Sequence, residues 1–110
     1  MEEVIEGKLE ELEDEAARHA ADILEAVEEE LRKRGVRAEV RMSDMPVIYE
    51  TPVARYEYYM ARVEGVDGLV IKLPVYDLIR YDDETYELRL YSVESVLKRL
   101  DEELRETTYA

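Results

Sequence analysis

The sequence predicts one α+β domain spanning residues 1–110, with a long N-terminal helix, an antiparallel sheet of four or five strands and a C-terminal helix. Apolar residues recur at three- and four-residue spacing near both ends, which is the period of an amphipathic helix. Between the ends, apolar and polar residues alternate, which is the period of a strand. Short turns between strands favour antiparallel neighbours, so we expect both helices to cover one face of the sheet.

The first helix is predicted from about residue 3 to residue 34, because its apolar stripe is not interrupted by proline. Arg32, Lys33 and Arg34 complement the negative end of the helix dipole, and Gly35 is suited to the left-handed residue that follows a helix. The stripe consists of Ile5, Leu9, Leu12, Ala16, Ala20, Ile23, Val27 and Leu31.

Strands are predicted next. Residues 36–42 alternate cleanly, and residues 43–52 read as a loop in which 47–49 could form a short edge strand. Residues 53–64 form a longer strand whose apolar parity changes along its length. This change predicts a β-bulge near Tyr58–Met60.

A second group of strands follows a turn at residues 65–68. Residues 69–73 are an apolar run that we expect Pro74 to end, because proline cannot donate to a sheet. Residues 75–81 and 85–91 read as a hairpin around an acidic turn, although a single helical turn at 75–80 also fits the pattern. A final helix begins at an N-cap, Ser92, with the apolar stripe Val93, Val96, Leu97, Leu100 and Leu104.

The predicted first helix is too long for a compact domain of this size. At 1.5 Å per residue it would extend about 48 Å, whereas a domain of 110 residues is only about 35 Å wide. Either the helix breaks, or its first part projects and buries its stripe against a partner helix, which a two-fold homodimer supplies. The predicted self-association residues are Ile5, Leu9, Leu12 and Ala16.

The net charge of −14 excludes more functions than it indicates. A negative field repels nucleic-acid backbone and anionic membranes, so neither is an expected partner. There is no apolar run of membrane-spanning length and no signal peptide at the start, so we expect a cytoplasmic protein. The chain has no Cys, Asn or Gln beside abundant Glu and Arg, a composition typical of hyperthermophile proteins, which genomic bias or design can also produce.

Catalytic and metal signatures are weak, and we expect no cofactor. His19 is the only histidine and has no acid or serine at a spacing that identifies a catalytic partner, so we interpret it as a helix-surface or interface residue. The acids at 82–84 could bind a hard cation, but consecutive acids are more typical of a solvated hairpin tip. A small metal-dependent hydrolase using the acids of residues 77–84 is kept as an alternative.

Tyrosine and arginine dominate the strand region. All nine aromatic residues are tyrosine. Both residue types are enriched in interface hot spots, and both also stack on nucleotide bases. An ordinary structural role, with tyrosine in the core and arginine paired across strands, explains them equally simply. The predicted protein-binding residues are Tyr56, Tyr58, Tyr59, Arg55, Arg62 and Arg80.

We therefore expect a non-enzymatic protein-interaction module, a small acidic homo-oligomeric adaptor or chaperone-like protein. A sheet that binds nucleotides or RNA through tyrosine and arginine is one alternative, and the metal-dependent hydrolase is the other.

Overall fold

The computed structural model describes residues 2–107 and confirms the α+β class. The strands form one antiparallel sheet in the spatial order β1-β6-β5-β4-β2, and β3 also pairs with β4. The elements are β1 (Glu2–Gly7), α1 (Leu9–Lys33), β2 (Ala38–Met42), β3 (Val47–Glu50), β4 (Arg55–Gly65), β5 (Val70–Arg80), β6 (Tyr86–Tyr91) and α2 (Val93–Thr107).

The prediction of a helix from residue 3 is wrong. Glu2–Gly7 is a strand that pairs antiparallel with β6, with Ile5 opposite Leu88. The free edge of β6 offers backbone partners to this segment, and its β-branched Val4 and Ile5 fit a pleated sheet better than a helix. The helix begins only at Leu9, two residues after Gly7.

Because the helix begins at Leu9, its length no longer requires a partner chain. The 25 residues of α1 extend about 38 Å at 1.5 Å per residue, and the long axis of the molecule measures 46 Å. The helix therefore fits within its own chain and needs no partner helix for reasons of length. The homodimer remains a prediction, and the length of the helix no longer supports it.

Both predicted helix boundaries near glycine and serine are confirmed. Gly35 has φ +69°, its N–H donates to the carbonyl of Arg32, and the N–H of Val36 donates to the carbonyl of Leu31. These two bonds form the Schellman motif that ends many helices. At the start of α2, the N–H of Ser95 donates to Oγ of Ser92 at 3.1 Å, the expected N-cap bond.

Pro74 does not end a strand, contrary to the prediction. β5 runs through it from Val70 to Arg80, and the register with β4 shifts between Tyr59 and Met60, which confirms the predicted bulge. On its other side β5 pairs with β6 only from Tyr76 to Arg80. Proline is tolerated at bulges and where a strand lacks a neighbour, so Pro74 breaks no ladder there. The hairpin of β5 and β6 is confirmed, and residues 75–80 are strand rather than helix.

Both helices pack on the same face of the sheet, which we name the covered face. Their apolar residues share one buried cluster with side chains of β4 and β5, and a second cluster joins α1 to β5 and β6. The first cluster contains Ala20, Ile23, Val27, Leu31, Ala61, Val63, Ile71, Leu73, Val75, Val96 and Leu100; the second contains Leu12, Ala16, Leu78, Leu88 and Leu90.

The opposite side of the sheet, which we name the open face, has no helix of residues 2–107 against it. Because side chains alternate along a strand, the register of the pairs identifies its members. They are Val4 and Glu6 of β1; Glu39 and Arg41 of β2; Val47 and Tyr49 of β3; Tyr56, Tyr58, Met60, Arg62 and Glu64 of β4; Val70, Lys72, Pro74, Asp77 and Ile79 of β5; and Glu87, Arg89 and Tyr91 of β6.

Candidate functional site

The six residues predicted to bind a partner divide between the two faces of the sheet. Alternation along β4 separates them into two groups of three. The open face carries Tyr56, Tyr58 and Arg62, whereas the covered side carries Arg55, Tyr59 and Arg80. A single partner surface therefore cannot include all six residues. They belong to two separate candidate sites, one on each side of the sheet.

The predicted self-association stripe is engaged within its own chain. Leu12 and Ala16 are buried in the cluster that joins α1 to β5 and β6. Ile5 and Leu9 are half-buried against the same cluster. The stripe therefore covers the sheet of its own chain along α1, which leaves little of it for a second helix.

Three tyrosines form a ladder across β3 and β4 on the open face. The rings of Tyr56 and Tyr58 are nearly parallel, with centroids 6.2 Å apart and planes at 12°. The ring of Tyr49 lies 6.1 Å from that of Tyr56 on the neighbouring strand. Tyr49 is 58% exposed, and Val47 beside it is 57% exposed. The ladder is therefore a rigid aromatic surface that reaches solvent at the sheet edge.

Beside the tyrosine ladder lies a corner where two arginines share one glutamate. Nη2 of Arg41 lies 3.0 Å from Oε1 of Glu64, and Arg62 contacts the same oxygen through Nε at 2.5 Å. These two guanidinium groups lower the pKa of Glu64 through their hydrogen bonds. Arg41 also lies 3.4 Å from Oδ1 of Asp44, so the corner is a network of two arginines and two acids.

Asp77 is buried in the middle of the open face, a feature that sequence reasoning missed. It is 2% exposed, accepts a hydrogen bond from the hydroxyl of Tyr91 at 2.8 Å, and lies 3.8 Å from Nη1 of Arg89. A signal was present, because Asp77 is the only acid within the largely apolar run of β5. A buried charge that is paired and hydrogen-bonded fixes its neighbours more than it binds ligands.

The second candidate site is a cleft between the N-terminal half of α1 and the covered side of β4, β5 and β6. Its volume is about 420 Å³. Small side chains on the helix leave this space, because α1 presents Ala16 and Ala17 there. The lining is Leu12, Glu13, Ala16, Ala17, Glu57, Tyr59, Tyr76, Leu78, Arg80 and Leu88.

Glu57, Tyr59 and Tyr76 form one wall of this cleft. The Tyr59 hydroxyl donates to Oε1 of Glu57 at 2.8 Å, and the rings of Tyr59 and Tyr76 stack with centroids 4.5 Å apart. Burial raises the pKa of the Tyr59 phenol, and the hydrogen bond to Glu57 raises it further. Burial also raises the pKa of Tyr76, assisted by the negative charges of Glu13 and Glu57. Both phenols therefore remain neutral well above neutral pH.

The remaining sequence candidates have structural roles. Nε2 of His19 lies 2.6 Å from the carbonyl oxygen of Tyr91, so the ring ties α1 to the end of β6. Asp82 accepts hydrogen bonds from the N–H groups of Glu84 and Thr85 at 2.8 Å each. These bonds close the hairpin turn and lower the pKa of the Asp82 carboxyl. Within residues 2–107, no three acidic or histidine side chains converge as metal ligands.

Comparisons with protein-family models, with curated proteins and with solved structures give no match to this chain. None of the helices in the part of the chain that the structure describes combines the length and apolar character needed to cross a membrane.

Proposed function

We propose that the protein is a non-enzymatic interaction module that forms a homodimer by packing the open faces of two sheets together. The observation that carries this proposal is the tyrosine ladder of Tyr49, Tyr56 and Tyr58 on a sheet face that no helix covers. Antiparallel sheets often have one solvated face, but that face is usually polar. Here the centre of the face also holds Met60, Pro74 and a buried Ile79.

Residue type supports an interface on this face. Tyrosine and arginine provide large contact areas with directional polar groups, and they are enriched where protein partners bind tightly. The rings of Tyr56 and Tyr58 are already held by stacking, so they would lose little conformational freedom on binding. Arg62 stands four residues beyond Tyr58 and two beyond Met60 on the same face, and Met60 pairs with Pro74.

The distribution of charge favours a second copy at this face rather than at the helices. α1 carries ten acidic and three basic side chains, so two copies repel each other if they approach through α1. The open face carries both signs in nearly equal number. Its side near β2 holds the three bases Arg41, Arg62 and Lys72 together with Glu39 and Glu64, and its side near β1 holds the acids Glu6 and Glu87. An isologous contact can oppose these two regions.

The size of the open face is sufficient for a stable contact. A strand of 11 residues such as β4 extends about 36 Å, and five neighbouring strands span about 24 Å. A face of this size can bury on the order of 800 Å² per chain, which is the standard contribution of one partner to a specific complex. Two sheets packed face to face form the usual architecture of a β-sandwich.

Sedimentation equilibrium of the wild type and two glutamate variants tests the proposal. Tyr58→Glu places a negative charge at the end of the ladder, beside Tyr56, in both copies, and the control Val66→Glu changes a turn residue that is 82% exposed. We expect a dimeric wild type, a dimeric Val66→Glu variant and a monomeric Tyr58→Glu variant that keeps the helical circular-dichroism spectrum of the wild type.

Two results would contradict the proposal. A wild type that stays monomeric at every concentration removes the homodimer, and a Tyr58→Glu variant that dimerises as tightly as wild type moves the contact away from the open face. The same experiment at higher ionic strength should give tighter association, because salt screens the repulsion between two chains of net charge −14.

A further inference from the structure

Arg80 lines the cleft beneath α1, and Arg55 opposes it across β4 and β5. Arg55 and Arg80 are direct partners in the register of these strands, and like charges in that position destabilise a sheet. In each of them the Nε atom is buried and has no hydrogen-bond partner within the described residues. Because buried polar atoms are normally hydrogen-bonded, this pair indicates a place where an acceptor is missing.

The acids of the same chain lie beside Arg55 rather than beside Arg80. Nε of Arg55 lies 3.3 Å from Oε2 of Glu57 and 3.8 Å from Oε1 of Glu50, and neither contact has the geometry of a hydrogen bond. Across residues 2–107, Arg80 has no carboxylate within 4.0 Å. Its guanidinium lies 5.4 Å from the centre of the Tyr86 ring, which holds it at the mouth of the cleft.

The rest of the cleft is suited to an apolar group. Leu12, Leu78 and Leu88 line it on the helix and sheet sides, and the stacked rings of Tyr59 and Tyr76 form a flat wall. A volume of about 420 Å³ lies within the range of small-molecule sites, which combine an apolar lining with a few polar groups that orient the ligand.

We propose that this cleft binds a small organic monocarboxylate, with its carboxylate on the guanidinium of Arg80 and its apolar body against the leucines and the tyrosine wall. Guanidinium groups bind carboxylates through paired, charge-assisted hydrogen bonds. A singly charged carboxylate fits better than a phosphate, because Glu13 and Glu57 also line the cleft and repel a dianion. This binding does not depend on the homodimer, since the cleft and the open face lie on opposite sides of the sheet.

Isothermal titration calorimetry with hydrocinnamate tests the ligand class. Hydrocinnamyl alcohol has the same apolar body without the charge, and inorganic phosphate has the charge without the body. We expect saturable binding of hydrocinnamate and binding of the alcohol and of phosphate that is at least about tenfold weaker. No saturable binding of hydrocinnamate, or equal binding of either control, would overturn the proposal.

Arginine variants locate the site. Arg80→Met removes the cation, Arg80→Lys keeps the charge but loses the paired donors, and the control Arg99→Met removes an arginine of α2 that is 56% exposed. We expect Arg80→Met to weaken hydrocinnamate binding at least about tenfold, Arg80→Lys to weaken it several-fold and Arg99→Met to leave it unchanged.

A stability readout separates binding from a structural role of Arg80. Arg80→Met relieves the repulsion with Arg55, so its melting temperature without ligand should equal or exceed that of the wild type. Hydrocinnamate should raise the melting temperature of the wild type and not that of Arg80→Met. If Arg80→Met does not fold, Arg80→Lys decides: undiminished binding overturns the proposal, and weaker binding supports it.

Discussion

The covered and open faces of the sheet are built by the same strands, yet different forces hold their side chains. On the covered face, aliphatic residues such as Leu73 and Val63 are fully buried between sheet and helices. On the open face, tyrosine rings, an arginine–glutamate corner and the buried Asp77 provide the order. The covered face therefore stabilises the fold through burial, whereas the open face keeps contact area and directional groups available to another molecule.

The sharpest test of this difference substitutes neighbouring residues on the two faces. Leu73→Ala removes a fully buried side chain and should lower the free energy of unfolding by about 2–5 kcal/mol. Met60→Ala, one strand away on the open face, should cost less than about 1 kcal/mol in the monomer. Urea denaturation of both variants measures the two values. Equal losses would show that the open face is packed as tightly as the covered one.

A turn glycine at the end of β4 gives an intermediate effect on stability. A Cβ atom at Gly65 would lie 2.9 Å from Cβ of Leu69 and 2.7 Å from Oδ1 of Asp67, so Gly65→Ala should destabilise the hairpin by about 1–3 kcal/mol. Gly7→Ala is the matched control, because its Cβ would meet only ordinary contacts of 3.4 Å or more. Thermal unfolding that ranks these two variants in the opposite order would contradict the assignment of this close contact.

The buried acid of the open face can be tested through its hydrogen-bond donor. Tyr91→Phe removes the hydroxyl that donates to Asp77, and hydrogen bonds to a buried charge contribute about 1.5–3 kcal/mol. The control Tyr49→Phe removes a hydroxyl from a ring that is 58% exposed and should change stability by less than about 0.5 kcal/mol. Similar values for the two variants in chemical denaturation would mean that Asp77 does not depend on Tyr91.

The smallest expected effect depends on pH. Because the pKa of Tyr59 is raised above its ordinary value of 10.0, the folded protein keeps the phenol proton where the unfolded chain has lost it. The stabilisation that the neutral Tyr59 phenol gives to the folded state is therefore fully present below about pH 10. It is lost as the pH rises further. Melting temperatures measured across this range should fall less steeply for Tyr59→Phe than for wild type. Parallel profiles would remove Tyr59 as the cause.

Local sequence patterns correctly predicted those features that depend only on neighbouring residues in the chain. The spacing of Ile23, Val27 and Leu31 predicts their burial, Gly35 and Ser92 mark helix boundaries, and the parity change in β4 predicts the bulge. Each of these signals arises from backbone geometry within a few residues. The candidate binding residues were predicted as one set of tyrosines and arginines, and their division between two faces was not predicted.

The remaining features depend on partners distant in sequence. Glu2–Gly7 is a strand because β6 leaves a free edge beside it. The residues of the segment itself do not predict that pairing. Arg55 and Arg80 oppose each other only because β4 and β5 pair in one register, and that register also leaves their Nε atoms without acceptors. The sequence by itself determined the α+β class, the acidic surface and the helix ends, since these follow from composition and local period. Only the tertiary structure decided which tyrosines and arginines share a face, because strand pairing places together residues that no local pattern relates.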